Sequence, residues 1–150
     1  MISKQAARLT LPIVLLFAGQ AWATDLRITD ISNTTIVVRD AVIDYGTFSN
    51  DKEADGIRVY QGEAVVSAKW VNVDTLTITT KDETVKPIKM NADIMMKNRQ
   101  RVTVTLLSKG KMQVSGKTDL GDYTIELSKV KSIAPIPSTT TPATKGARGQ

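Results

Sequence analysis

From Leu26 to Ile133 the chain keeps returning to one pattern, apolar and polar residues in alternation, and nothing else in the sequence constrains the fold as much. Successive side chains of a strand point to opposite faces, so a period of two marks a strand with one face buried. Leu26-Arg27-Ile28-Thr29-Asp30-Ile31 shows it plainly, and Ile57-Arg58-Val59-Tyr60, Arg101-Val102-Thr103-Val104-Thr105-Leu106 and Tyr123-Thr124-Ile125-Glu126-Leu127 repeat it. Val, Ile, Thr and Tyr are plentiful and helical periodicity is scarce, which predicts an all-β fold. Residues 90–98 are ambiguous. Asn91-Ala92-Asp93 would cap a short helix, although a strand is the favoured reading. The chain has no cysteine, so packing and strand pairing must hold the fold without disulfides.

Both ends depart from the pattern. Lys4 and Arg8 precede an apolar run, Leu9 to Gly19, and Ala21-Trp22-Ala23 follows with small residues where a signal peptidase reads. Residues 1–23 are therefore expected to be a cleaved signal peptide, leaving Thr24 first. The alternative, a retained anchor, must contend with Pro12 and with a run shorter than the roughly 20 residues of a span. Periplasmic or secreted localisation follows. At the other end, residues 134–150 are rich in proline and hydroxyl side chains and are expected to be a disordered tail, either a solvated end or a segment that contacts a wall polymer or carries glycans. Residues 24–133 form one all-β domain.

The sequence pI of about 9.5 suggests a nucleic-acid partner, but the charge distribution does not. Between Thr24 and Ile133 there are 16 basic and 15 acidic side chains, and phosphate-binding surfaces need a concentrated positive excess. No nucleic acid is expected as a partner. The charge is uneven, with net −4 over residues 24–80 and net +5 over residues 81–133. Either the two halves attract each other within one fold, or opposite faces drive head-to-tail self-association.

An internal repeat is suggested by Trp70-Val71-Asn72-Val73-Asp74-Thr75-Leu76 and Leu127-Ser128-Lys129-Val130-Lys131-Ser132-Ile133. Apolar residues at spacings of three predict a single 3₁₀ turn between two strands. Two such motifs point to a duplicated unit, with possible halves 24–80 and 81–133, against the alternative of one β-sandwich with coincidental spacing. The stretch Val102–Ile133, with its turn glycines and its closing Ile-x-Leu-x-x-Val-x-x-Ile, resembles small SH3-like β-barrel repeats of exported, uncharacterised bacterial proteins. Trp70–Leu76 matches only the closing part. The resemblance implies two small SH3-like barrel units in tandem, packed as one domain, in a bacterial envelope setting. It brings no catalytic residues with it.

Site chemistry is sparse. The chain has no histidine and no cysteine, which removes Ser-His-Asp and Cys-His catalysis and most zinc sites. Asp51-x-Glu53-x-Asp55-Gly56 resembles the start of a calcium loop, but the bidentate acid due at Gly62 falls at Glu63. Asp51, Glu53 and Asp55 are thus weak metal candidates, calcium is the one cofactor considered, and the alternative is a solvated hairpin loop. Ser128-Lys129-Val130-Lys131 has the spacing of a serine acylase motif but lies at a strand end. Ser115-Gly116-Lys117-Thr118 lacks the earlier glycine of a phosphate loop. Paired carboxylates for glycoside cleavage stay open, although a chain this small is a poor frame for such a cleft.

Trp70 takes an apolar slot of the repeat and is expected in the core. Tyr45 and Tyr60 flank the acidic loop and are expected to be more exposed, which makes Asp44, Tyr45 and Tyr60 the candidate binding residues. The expected function is a non-catalytic envelope module that binds another protein or itself. A calcium- or glycan-binding role near residues 44–60 comes second and a small hydrolase third.

Overall fold

The computed structural model describes residues 24–47, 50–108 and 112–137. The expected leader, residues 138–150 of the tail, and residues 48–49 and 109–111 lie outside that set. The strands are β1 (Thr24–Asp30), β2 (Thr35–Asp44), β3 (Lys52–Glu53), β4 (Gly56–Gln61), β5 (Ala64–Lys69), β6 (Val73–Asp82), β7 (Ile88–Met96), β8 (Arg101–Ser108), β9 (Gln113–Thr118), β10 (Gly121–Glu126) and β11 (Val130–Ile136). Single 3₁₀ turns occupy Trp70–Asn72 and Leu127–Lys129, where the spacing of three places them. Among the described residues there is no α-helix, and no helix long and apolar enough to cross a membrane. Residues 90–96 are strand because Met90, Ala92 and Ile94 all reach the core, a period of two that no helix could bury on one face.

The strands make one curled antiparallel sheet in the order β10-β9-β2-β1-β11-β6-β7-β8-β4-β5, with β3 against β2. Its midline is the β11–β6 pair, where Ile133 faces Leu76 and Ser132 faces Thr77. Outward from that line the two sides have the same plan: a closing strand, a hairpin, then a second hairpin. One side is β11, β1–β2 and β9–β10; the other is β6, β7–β8 and β4–β5.

The match extends to single hydrogen bonds. Trp70 N–H donates to Asp55 O and Leu127 N–H to Met112 O, each at 2.9 Å. The β1–β2 and β7–β8 hairpins both turn through a residue of positive φ, Asn33 at 67° and Arg99 at 77°. Both close with an N–H donated back to the last strand residue, Asn33 to Asp30 O and Arg99 to Met96 O, each at 2.9 Å. Each hairpin also reaches a 3₁₀ turn, Ile31 N–H donating to Lys129 O and Lys97 N–H to Asn72 O, each at 3.0 Å. The strand pairs agree as well. Arg39 faces Lys117 on one side and Tyr60 faces Thr105 at the corresponding place on the other.

This arrangement revises two expectations. The halves 24–80 and 81–133 are not side by side. β1 and β2 pair with β11 and β9, while β7 and β8 pair with β6 and β4, so each side of the sheet draws on both halves of the chain. The charge asymmetry is diluted accordingly: residues 24–44 with 113–136 carry five basic and seven acidic groups, and residues 56–108 carry eight and five. The tail also begins later than residue 134. Ala134, Pro135 and Ile136 continue β11 opposite Arg27, Leu26 and Asp25. Proline is tolerated there because β6 pairs with β11 only at Ser132 and Ile133, which leaves the far end of that flank as an edge.

The core runs through both sides. Trp70, Leu76, Leu127, Ile133, Leu26 and Ile28 are all buried, as expected for Trp70. Gly116 is required at one close approach: a Cβ there would sit 2.7 Å from Arg39 O, beside the kink at Asp40 with φ 53°.

Interleaving makes the two chain halves interdependent. Fragments 24–82 and 83–150, prepared separately, should each lack a cooperative thermal transition by circular dichroism, since β1–β2 and β7–β8 would have lost their pairing partners. Mixing the fragments should restore one. Two separately cooperative fragments would contradict the interleaved sheet.

Candidate functional site

The segment between β2 and β4 carries the polar side chains that drew attention in the sequence. Tyr45 is buried, contrary to the exposure expected of it. Its hydroxyl donates to Glu53 Oε1 at 2.7 Å and accepts the Arg58 backbone N–H at 2.7 Å, so both its polar roles are filled inside the fold. The Arg58 guanidinium lies 3.8 Å from the ring centroid and covers the remaining face. Desolvation, with the hydrogen bond to Glu53 second, holds the Tyr45 pKa far above its usual value.

Asp51 has its own partners, while Glu53 and Asp55 share Lys69. Asp51 accepts from Arg58 Nη2 at 2.5 Å and from the Thr47 hydroxyl, which hold its carboxyl below the usual carboxylate range. Glu53 accepts from Tyr45 and the Ser67 hydroxyl, with Lys69 Nζ 3.7 Å away. Asp55 pairs with Lys69 at 3.3 Å. A calcium loop curls so that its oxygens meet around one ion at about 2.3–2.6 Å. Here Lys52 and Glu53 pair with β2 as β3, and the three carboxylates turn to side chains of β4 and β5 or of their own segment instead. Among the described residues no three acidic side chains converge in this way.

Of the three binding candidates, Tyr45 and Tyr60 share a cleft with Arg58 and Met112, and Asp44 does not join them. Asp44 instead accepts the Gly46 N–H at 2.9 Å and shapes the turn after β2. The cleft holds about 100 Å³, well under the roughly 300 Å³ at which ligand pockets begin. Sequence reasoning missed Arg58, Ser67 and Lys69, which complete the network. They enter it through register, since Arg58 faces Ser67 and Gly56 faces Lys69 across the β4–β5 hairpin. These groups are directed at one another, and their common effect is to fasten the β2–β4 segment to that hairpin.

A different surface remains open. β5 is the last strand of the sheet and pairs with β4 alone. Val65 is 55% exposed and Val66 38%, and Val71 just beyond is 72% exposed. Val66 and Ala68 border an apolar recess of about 200 Å³, shared with Val73, Met96, Val102 and Val104. The edge at the other end of the sheet is chemically different. On β10 the corresponding positions hold Asp122 and Tyr123, and Ser128 stands where the first 3₁₀ turn has Val71. Charged side chains on an edge deter strand addition, and on β5 the one charged residue, Lys69, stands at the end of the strand. The β5 edge and its recess are the candidate interaction site.

The Tyr45 network gives a stability prediction with a definite sign in pH. Tyr45→Phe leaves Glu53 and the Arg58 N–H without their shared partner, and the loss of stability at pH 7 should be about 1–3 kcal/mol in urea unfolding. A tyrosine whose folded pKa is raised stabilises the fold below its unfolded pKa of about 10, and that contribution is lost as pH climbs above it. The gap between wild type and variant should therefore narrow from pH 9 to pH 11, and a constant gap would refute this account of Tyr45. Comparison with protein-family models, curated proteins and solved structures returns no match.

Proposed function

We propose that this chain is an exported, non-catalytic β module of the bacterial cell envelope that acts by binding another protein or itself through a strand edge. The observation that carries the reading is the β5 edge, which is apolar, exposed and bordered by a recess that could take alternate side chains of an added strand. An extended partner would gain main-chain hydrogen bonds from β5 and side-chain contacts from Val66, Ala68 and Met96. The polar cluster around Tyr45 supports a non-catalytic role, because its hydroxyls and carboxylates are engaged with one another. The apolar run and Ala21-Trp22-Ala23 support export.

We read each side of the sheet as one SH3-like unit of two hairpins, a 3₁₀ turn and a closing strand, with the first hairpins exchanged between units. The shared strand order and the matching hydrogen bonds at the two 3₁₀ turns support this.

Site-specific photo-cross-linking in the producing cell tests the interaction reading. A photoreactive residue at Val65 should give a discrete protein adduct, and one at Asp122, its counterpart on β10, should give at least fivefold less. Equal yields, or no adduct at either position, would overturn it.

A further inference from the structure

We infer that the occupant of the β5 edge is a second copy of this chain, paired antiparallel with β5 about a two-fold axis at Val66. The inference deepens the proposed function and rests on it. Its basis is the order of residues along β5 and the turn residue before it, Glu63-Ala64-Val65-Val66-Ser67-Ala68-Lys69. Turned on itself about Val66, this segment places Glu63 opposite the second copy's Lys69, Ala64 opposite Ala68, Val65 opposite Ser67 and Val66 opposite Val66. The charges at the two ends are complementary, small residues meet small residues, and the exposed Val65 is covered. An antiparallel self-pair is isologous, so each favourable contact occurs twice. The equivalent segment on β10, Leu120 to Glu126, puts no basic residue opposite an acidic one under the same operation.

The backbone is arranged for this pairing. Gln61 and Ala64 close a two-residue turn, so they exchange hydrogen bonds and the alternation aims Ala64, Val66 and Ala68 at β4. Val65 and Ser67 then direct their N–H and C=O groups to the open side. Centred on Val66, the two strands join through Val65–Ser67 hydrogen-bonded pairs, with Val66 against Val66 as the close pair between them. A single strand pair is a small interface, beneath the roughly 1,200 Å² of a standard one, so the dimer should be reversible and visible only at micromolar concentrations and above.

Sedimentation of the full chain, expressed with residues 1–23 and purified as the cell processes it, should show a monomer–dimer equilibrium between about 10 μM and 1 mM. Val65→Lys should weaken it at least tenfold without changing the far-ultraviolet spectrum. Glu63→Lys and Lys69→Glu should each weaken it severalfold, the first by setting lysine against lysine and the second glutamate against glutamate. An equimolar mixture of those two variants should recover wild-type association, because every end pair is then of opposite sign. Lys69 also pairs with Asp55, so Val65→Lys stands as the independent variant if Lys69→Glu fails to fold. A wild-type monomer at 1 mM overturns the inference, and a partner protein cross-linked at Val65 would then preserve the broader reading. A dimer indifferent to Val65→Lys overturns the β5 assignment while leaving self-association standing. A monomer with no adduct at Val65 defeats both.

Discussion

The pairing of β11 with β6 is the contact on which the rest of the sheet depends. Ile133 and Leu76 face each other there and are both fully buried. Each closes its own side of the sheet, so the pair is a seam between two like structures as well as a ladder rung. The residues just before them descend from 3₁₀ turns whose first residues, Leu127 and Trp70, are also buried. Loss of the seam would split the sheet into a six-strand group, β1–β3 with β9–β11, drawn from both ends of the chain, and a five-strand group, β4–β8, from its middle. Pairing between distant parts of the chain thus does for this fold part of what a disulfide would do: Leu26 is held to Pro135 by strand pairing alone, in a chain that has no cysteine to use.

Much of this was legible in the residues. The period of two gave the strands, and the spacing of three gave both 3₁₀ turns, because these are local properties that the side chains themselves encode. Strand partners were not legible. Alternation says which face of β1 is buried, but says nothing about whether its neighbour is β11 or β6, since both present the same apolar–polar rhythm. That ambiguity is inherent in a chain whose two halves carry nearly the same pattern. The division at residue 80 was therefore reasonable from sequence and is replaced by interleaving in the structure. The extent of β11 was hidden for a related reason. Proline excludes a strand interior only where both flanks are paired, and the sequence does not disclose that β6 leaves β11 after Ile133.

The candidate site divides along the same line. The acidic run and the two tyrosines stood out as residue types, yet what they do is set by non-local neighbours. Tyr45 is buried because the Arg58 backbone, Glu53 and the Arg58 guanidinium enclose it, and only the return of the chain in β4 brings Arg58 there. Asp51, Glu53 and Asp55 look like ligands of one ion in the sequence because they lie two apart. In the fold Asp51 turns to Arg58, while Glu53 and Asp55 reach Ser67 and Lys69 on the β4–β5 hairpin.

The apolar edge of β5 is best understood against its counterpart. Two structures so alike in register could have carried equally protected edges, and β10 shows that a protected version fits the same backbone: Asp122 and Glu126 stand where β5 has Val65 and Lys69. A hydrophobic edge strand costs solubility and invites misassembly in any compartment, and nothing in the packing of this sheet calls for Val65, whose side chain faces outward. Folding accounts for Val66 and Ala68, which border the recess, but not for Val65 or for Val71, 72% exposed beside it. Val65, Val66 and Val71 form an exposed apolar cluster at this end, whereas the far end exposes Leu120 in its turn beside the charged Asp122 and Glu126. The association surface proposed for β5 would account for that difference between two otherwise matching sides of the sheet.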